Sequence, residues 1–304
     1  MNQLRIIFMG TPEFAVPSLQ ILVENKFNVV AVITAPDKPQ GRGQKLVASA
    51  VKECALKYNI PVLQPTNLKS AAFIEELKSY HANLQVVVAF RMLPEAVWSM
   101  PALGTFNLHA SLLPQYRGAA PINWAIINGE KETGVTTFFL KHEIDTGGII
   151  FQEREAITDA DDAGSLYERL MTKGGQLVLK TVKAIEAGSY PNSPQPESGA
   201  LKHAPKIFKE TCEINWKLTS SQLRNFVRGL SPYPAAWTTI NDRNFKIFRV
   251  SEKSGAPSEP GSLKTDNSTY LYVATADGWI SIEELQAEGK KRMSIGDYLK
   301  GNKI

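Results

Sequence analysis

Ile6-Ile7-Phe8-Met9 and Val29-Val30-Ala31-Val32-Ile33 are short apolar runs without polar alternation, and Val86-Val87-Val88-Ala89 and residues 135–140 repeat the pattern. Strands that are buried on both faces of a sheet have this composition. Helical segments such as residues 71–80 lie between these runs. Because strands that alternate with helices are joined by crossovers, the pattern predicts a doubly wound, mostly parallel α/β sheet of the Rossmann-like kind. Ligands bind such sheets beyond the carboxyl ends of the strands, so we expect the functional site there.

The composition excludes several classes of protein. The chain has 304 residues, of which 43% are hydrophobic and 21% charged, so it is too apolar to be disordered and long enough for two domains of roughly 150 residues. Cys54 and Cys212 are too few for a disulfide scaffold or a cysteine-ligated zinc site. No apolar run reaches the ~18 residues of a membrane-spanning helix, and residues 1–9 resemble a strand rather than a signal peptide. We therefore expect a cytoplasmic monomer without a membrane partner.

The composition changes after a predicted long helix at residues 165–185. Residues 188–196 are rich in proline and polar residues, which is typical of an extended linker. Beyond them, short β-rich runs such as Trp237-Thr238-Thr239-Ile240 are separated by turn residues. We predict an α/β catalytic domain at residues 1–189, a linker at 190–206 and a small OB-like β-barrel domain at 207–304.

The net charge of +4 lies in the C-terminal third of the chain. Residues 205–304 contain 15 Lys and Arg against 11 Asp and Glu, whereas the rest of the chain is neutral. This excess permits a polyanionic partner such as nucleic acid. An ordinary solvated surface explains an excess of this size better.

The densest set of chemically capable residues runs from Asn107 to Gly118. In a strand at residues 105–109, Asn107 and His109 project from the same face, while Leu108 points to the helix layer. An amide and an imidazole at the end of a strand can polarise a carbonyl group and move a proton. A buried, hydrogen-bonded pair with a structural role has the same sequence.

Asp145-Thr146-Gly147-Gly148 supplies a carboxylate just beyond the apolar run at residues 135–140. Two interpretations stand for Asp145. It could orient His109 and relay a proton, or it could form a turn by bonding its own following backbone. His142, three residues earlier, is a rival base.

Together, Asn107-x-His109, Ser111-Leu112-Leu113-Pro114-x-x-Arg117-Gly118 and Asp145-Thr146-Gly147 resemble the signature of the folate-dependent formyltransferase family. The similarity to the branch of the family that acts on tRNA runs nearly end to end, from residues 10–15 to residues 285–293. It implies transfer of the formyl group of 10-formyltetrahydrofolate, as donor cosubstrate and without a metal, to the amino group of initiator methionyl-tRNA.

The resemblance also implies roles for individual residues. Asn107 and protonated His109 would stabilise the charge that develops on the formyl oxygen, and Asp145 would hold the imidazolium by a hydrogen bond and help to carry the proton of the amine. The pterin would enter near residues 90–94, where Arg91 replaces a glycine common in the family and disfavours a positive φ. The folate contacts would be Ser111, Leu112, Leu113 and Pro114.

Residues 36–46 form a basic segment that the prolines and glycines predict to be irregular. The composition favours an exposed insertion. The resemblance implies instead a loop that inserts at the acceptor end of tRNA. Its candidate tRNA-binding residues are Lys38, Arg42 and Lys45.

Two other functions are alternatives to formyl transfer to tRNA. The first is another folate-dependent reaction, either formylation of a small amine such as an amino sugar nucleotide or hydrolysis of 10-formyltetrahydrofolate. The second is RNA binding without catalysis. The basic segment and the positive C-terminal third argue against the first, and the intact set Asn107, His109 and Asp145 argues against the second.

Overall fold

The computed structural model describes residues 3–40, 45–196 and 199–304. The chain divides into two compact units. The first unit comprises Met1–Arg117, Gly134–Glu155 and Glu168–Lys202, and the second comprises Gly118–Thr133, Ala156–Tyr167 and His203–Ile304. Within the described ranges, no helix is both long enough and apolar enough to span a bilayer. The division into residues 1–189, 190–206 and 207–304 stays a prediction.

The secondary structure alternates strands and helices up to residue 186 and is mainly β beyond it. The helices are α1 Val16–Glu24, α2 Ala50–Lys57, α3 Ala71–Ser79, α4 Glu95–Trp98, α5 Pro121–Ile127, α6 Ala163–Glu186, α7 Ser220–Leu230 and α8 Ile295–Leu299. The strands are β1 Ile6–Gly10, β2 Val29–Ile33, β3 Lys38–Gln40, β4 Lys45–Val47, β5 Val62–Leu63, β6 Leu84–Val88, β7 Thr105–His109, β8 Arg117–Gly118, β9 Glu132–Phe139, β10 Ile149–Ala156, β11 His203–Ala204, β12 Ala236–Ile240, β13 Arg243–Lys253, β14 Leu263–Thr265, β15 Leu271–Ala274, β16 Trp279–Ala287 and β17 Met293–Ser294.

The first unit is built on a seven-stranded sheet with the order β10-β9-β7-β6-β1-β2-β5. Strand β1 pairs in parallel with β2 and β6, β2 with β5, and β6 with β7, whereas β9 is antiparallel to β7. Every residue of β1 and β6 is buried, as their continuous apolar runs predict. The doubly wound, mostly parallel sheet is confirmed. The strand order reverses at β1, and the parallel pairing of β1 with β6 and of β6 with β7 puts their carboxyl ends along one edge of the sheet.

Side-chain caps and one close packing contact fix the helices of the first unit. The Ser49 hydroxyl accepts a hydrogen bond from the Lys52 amide at the start of α2, and Ser70 does the same for Phe73 at the start of α3. Helix α6 packs on β7 at Gly174, where a Cβ would lie 2.7 Å from Cδ2 of Leu108. Leu108 therefore faces the helix layer, as predicted.

The second unit contains an antiparallel sheet with the order β12-β13-β16-β15-β14, to which β17 adds beside β16. The register of β13 against β16 shifts on both sides of Arg249, and such bulges bend a strand. Helix α7 begins with a capping box between Thr219 and Gln222 and packs Leu223 and Val227 into the core of this unit. The small C-terminal β domain is confirmed as an antiparallel half-barrel.

The prediction that residues 36–46 are irregular is wrong for residues 38–40 and 45–46, which lie in strands. Strands β3 and β4 pair antiparallel, with Lys38 opposite Val47 and Pro39 opposite Leu46. Each strand of a two-stranded ribbon has an open edge, and proline is tolerated there because its missing N–H breaks no central ladder. Residues 41–44, which include Arg42, lie outside the described residues.

Candidate active site

Strand β7 ends with the two residues that carry the proposed chemistry. Asn107 pairs with Val87 on β6 and Phe138 on β9, and His109 lies opposite Thr136. Because side chains alternate along a strand and Leu108 faces α6, Asn107 and His109 share the opposite face. The structure thus places the amide and the imidazole side by side at the carboxyl edge of the sheet.

The imidazole of His109 is 7% exposed and is anchored on one side. Its Nε2 lies 2.8 Å from the main-chain carbonyl oxygen of Tyr116. A carbonyl oxygen can only accept a hydrogen bond, so Nε2 carries a proton. Tyr116, which supplies this carbonyl, has a positive φ of 59°. Nδ1 is therefore the ring nitrogen left for the substrate.

Asp145 lies on the Nδ1 side of the ring. Its Oδ2 is 4.0 Å from Nδ1 of His109, and its side chain is 12% exposed. This separation makes an ion pair when the ring is charged but exceeds the length of a hydrogen bond. Asp145 has a φ of 56°, a conformation that aspartate tolerates better than most residues. Asn107, His109 and Asp145 all belong to the first unit.

The glycines after Asp145 allow the loop to close on the sheet. A Cβ on Gly147 would lie 1.5 Å from the carbonyl oxygen of Phe139, and one on Gly148 would lie 1.8 Å from Oδ1 of Asn192. The amide of Phe139 donates to the carbonyl of Gly148 at 3.0 Å. A close approach of the backbone explains the glycine at position 147, and a close side-chain contact with Asn192 that at position 148.

Sequence reasoning missed Gln195, which lies in the segment predicted to be a linker. Gln195 is 7% exposed, and Ser193 nearby forms a β-bridge with Ile149. Nε2 of Gln195 donates to the carbonyl oxygens of Asp145 at 2.7 Å and Gly147 at 2.9 Å. Its Oε1 accepts hydrogen bonds from Arg117 at 3.1 and 2.6 Å. The single signal in the sequence is a polar residue between two prolines, which composition alone assigns to a linker.

Hydrogen bonds from polar side chains fix the main chain of residues 111–114, the predicted folate contacts. The hydroxyl of Thr136 donates to the carbonyl of Ser111 at 2.6 Å, and Nε2 of Gln152 donates to that of Leu113 at 2.9 Å. Ser111 is fully buried and its hydroxyl donates to the carbonyl of Gln115 at 2.6 Å. Leu113 is also buried, whereas Leu112 and Pro114 are half-buried. The segment ends at a cis peptide between Leu113 and Pro114.

Two residues near the site have partners of their own. His142 is exposed, and its Nε2 lies 3.1 Å from Oε1 of Glu95, with its ring edge-on to Trp98. The guanidinium of Arg91 donates to the carbonyls of Thr66 and Pro65. Arg91 does not have a positive φ, so its backbone conformation does not require glycine.

The base of the β3–β4 ribbon is fixed by a charged cluster. Nζ of Lys52 lies 2.6 Å from Oδ2 of Asp37 and 2.8 Å from Oε1 of Gln64, and Nε2 of Gln64 donates to Oδ1 of Asp37 at 2.7 Å. These hydrogen bonds, that from Lys52 first, lower the pKa of the Asp37 carboxyl. Lys38 is exposed on β3, and Lys45 begins β4.

The second unit carries a groove of about 660 Å³ near its basic residues. Phe208 and Tyr233 line it and are exposed, and Lys209 and Lys246 stand beside them. Elsewhere in this unit, Arg249 pairs with Glu283 and Glu284. Exposed aromatic rings beside lysines are the composition of surfaces that bind nucleic acid.

Comparison with known proteins assigns the chain to a family. Residues 4–182 match the family model described as formyl transferase, and residues 206–303 match that of the formyl transferase C-terminal domain. The chain belongs to the formyl transferase family. The resemblance carried by Asn107, His109 and Asp145 is thereby confirmed at the level of the family.

Relatives with curated names agree over nearly the whole length. The methionyl-tRNA formyltransferase of Bacteroides fragilis is 53% identical over 309 residues, covering 99% of this chain and 95% of the relative. That of Phocaeicola vulgatus is 57% identical over 311 residues, covering 99% of this chain and 96% of the relative.

Solved structures share the fold at lower identity. WlaRD, a sugar 3N-formyl transferase, is 24% identical with a TM-score of 0.68, covering 96% of this chain and all of its own. HypX from Aquifex aeolicus, solved in complex with tetrahydrofolic acid, is 19% identical with a TM-score of 0.65, covering 99% of this chain and 48% of its own. These likenesses support the fold, with both the α/β and the C-terminal unit matched.

Proposed function

We propose that this protein transfers the formyl group of 10-formyltetrahydrofolate to the amino group of methionyl-tRNA. The observation that carries the proposal is the identity above 50% with methionyl-tRNA formyltransferases over 99% of the chain. Formylation of a small amine or RNA binding without catalysis would not require similarity to these relatives along both units.

The reaction is an acyl transfer, in which the amine attacks the formyl carbon and negative charge develops on the formyl oxygen. Donors that are already aimed at this oxygen stabilise the tetrahedral state. The side-chain amide of Asn107 is one such donor. The second is N–H at Nδ1 of His109, because Nε2 is occupied by the carbonyl of Tyr116.

Asp145 acts on the proton that the amine must lose. With Oδ2 4.0 Å from Nδ1 of His109, the carboxylate stabilises the charged ring and stands beside the place where the amine attacks. A bridging water or the amine itself completes the hydrogen bonds across this gap. Loss of the amine proton to this pair and its delivery to N10 of the folate balance the reaction.

The folate cosubstrate supplies an activated formyl carbon and a leaving nitrogen. The protein supplies a rigid main-chain segment that holds the folate. Because Ser111 and Leu113 are buried, we infer that this segment, with Leu112 and Pro114, meets the folate largely through main-chain groups. Hydrogen bonds from Thr136 and Gln152 to main-chain carbonyls fix this segment. Main-chain groups held in this way suit polar groups of the folate.

The tRNA contacts proposed here lie in each unit separately. In the first unit they are Lys38 and Lys45, on a ribbon whose base is fixed by Asp37 and Lys52, and Arg42, which lies between them in the sequence. In the second unit, Lys209 and Lys246 neutralise phosphates, and Phe208 and Tyr233 offer rings for stacking. The substrate is the initiator tRNA, and the enzyme acts as a cytoplasmic monomer.

The decisive assay supplies the protein with 10-formyltetrahydrofolate and three acceptors in parallel. These are methionine-charged initiator tRNA, methionine-charged elongator tRNA and an amino sugar nucleotide. We expect formylmethionine on the initiator tRNA and little product from the other two acceptors. Equal product from the amino sugar nucleotide would contradict the proposal.

A further inference from the structure

We propose that Gln195 is a positioning residue that sets the Asp145 carboxylate relative to Nδ1 of His109. The inference rests on the proposed function, because it assigns to Gln195 a part in the same reaction. Gln195 acts on the main chain that carries the side chain of Asp145.

The orientation of the Gln195 amide is determined by its four hydrogen bonds to three neighbouring groups. Two carbonyl oxygens, those of Asp145 and Gly147, face Nε2, and the guanidinium of Arg117 faces Oε1. Reversing the amide would place oxygen against two carbonyls and N–H against a cation. Every hydrogen-bonding group of the amide is therefore used, and one orientation alone satisfies it.

These contacts close a ring around His109. The carbonyl of Tyr116 holds Nε2 of the imidazole, and the next residue, Arg117, donates to Gln195. Gln195 in turn holds the main chain of Asp145, whose carboxylate faces Nδ1. The two sides of the imidazole are thus tied to each other through a single buried side chain.

The ring spans two residues in an uncommon backbone conformation. Tyr116 has a φ of 59° and Asp145 a φ of 56°. Non-glycine residues keep such conformations where the surrounding structure fixes them, and they cluster at functional sites. Gln195 supplies that restraint on the Asp145 side through its hydrogen bonds to residues 145 and 147.

The inference predicts a loss of turnover without a loss of binding. Gln195→Leu keeps the approximate size of the side chain and removes all four hydrogen bonds. We expect kcat for charged initiator tRNA to fall about 10- to 100-fold, the range found for residues that orient catalytic groups from behind, with KM for both substrates within ~2-fold. Gln176→Leu, an exposed glutamine on α6, is the matched control and should leave kcat unchanged.

A double-mutant cycle separates positioning from general stability. If Gln195 acts through Asp145, then Gln195→Leu should lower kcat less than ~3-fold in the background of Asp145→Asn, since the carboxylate that Gln195 positions is already lost. A purely structural role would lower kcat by the same factor in both backgrounds. That result, or an unchanged kcat in a folded Gln195→Leu protein, would overturn the inference.

Hydrogen exchange provides a readout that does not depend on activity. In Gln195→Leu, amides of residues 140–148 should exchange faster, while those of β1 and β6 stay as in the wild type. If the wild-type protein formylates no tRNA, the proposed function is refuted. The hydrogen-exchange result would still test whether Gln195 fixes the loop of Asp145. Unchanged exchange in the loop would refute the role of Gln195. If Gln195→Leu does not fold, Gln195→Asn, which keeps the amide on a shorter side chain, must show the same fall in kcat and the same faster exchange of residues 140–148, both smaller in magnitude.

Discussion

Nε2 of His109 lies 2.8 Å from the carbonyl oxygen of Tyr116, and this contact fixes which nitrogen of the ring works on the substrate. Because the carbonyl accepts, Nε2 donates, and Nδ1 is turned toward the carboxylate of Asp145. The two nitrogens therefore have different tasks, one structural and one chemical.

The first prediction concerns the tautomer of His109. In the neutral ring the proton should reside on Nε2, because that nitrogen has the carbonyl of Tyr116 as acceptor. Nitrogen NMR of protein labelled at histidine, with His109→Gln to assign the signal, measures this directly. A neutral ring with its proton on Nδ1 would be incompatible with the site as described.

The second prediction concerns the close approach at Gly147. In Gly147→Ala the new Cβ would meet the carbonyl of Phe139, so the loop that carries Asp145 must move. We expect kcat to fall at least ~10-fold, because small misplacements of catalytic groups are costly. Gly296→Ala in α8 is the control, since nothing lies within 4 Å of its added Cβ, and it should retain full activity. Equal activity in both variants would show that the loop tolerates displacement.

The third prediction concerns pH and the base of the β3–β4 ribbon. The Lys52 contact lowers the pKa of Asp37, so the pair stabilises the fold fully above the ordinary pKa of an aspartate. This stabilisation is lost as the pH falls through the lowered pKa, where Asp37 becomes protonated in the folded state. The difference in free energy of unfolding between wild type and Lys52→Met should therefore be present at neutral pH and shrink in acid.

The control for that experiment is Lys57→Met, an exposed lysine on the same helix α2. It should unfold like the wild type across the pH range. Lys52→Met should also raise KM for tRNA and leave KM for the folate unchanged, because the ribbon it supports carries Lys38. A rise in KM for the folate alone would show that the cluster of Asp37 and Lys52 does not support tRNA binding.

The fourth prediction concerns Arg42, for which the argument comes from sequence. A planar guanidinium in a basic segment of the sequence suits phosphate or a base edge. Arg42→Ala should reduce kcat/KM for charged initiator tRNA about 10-fold or more and leave folate binding within ~2-fold. A loss of the same size with a small amine acceptor would remove Arg42 from tRNA recognition.

The sequence predicts the elements whose pattern is local. The buried strands β1, β2 and β6, the long helix α6 and the face shared by Asn107 and His109 all follow from the spacing of apolar residues. Tertiary contacts decide the remainder. Strand β3 forms despite Pro39, because pairing with β4 across the ribbon outweighs the local preference of the proline. Gln195 is invisible in sequence, since its partners lie 48 to 78 residues away.

The role of Asp145 is tested by single-turnover formylation of charged initiator tRNA by Asp145→Asn, at saturating 10-formyltetrahydrofolate. Asparagine keeps the shape of the side chain and removes the charge that faces Nδ1 of His109 at 4.0 Å. We predict a rate lower by about 10² to 10⁴, as for loss of an acid–base group, with the affinity for the folate within a few-fold. A single-turnover rate close to that of the wild type would exclude Asp145 from the chemistry.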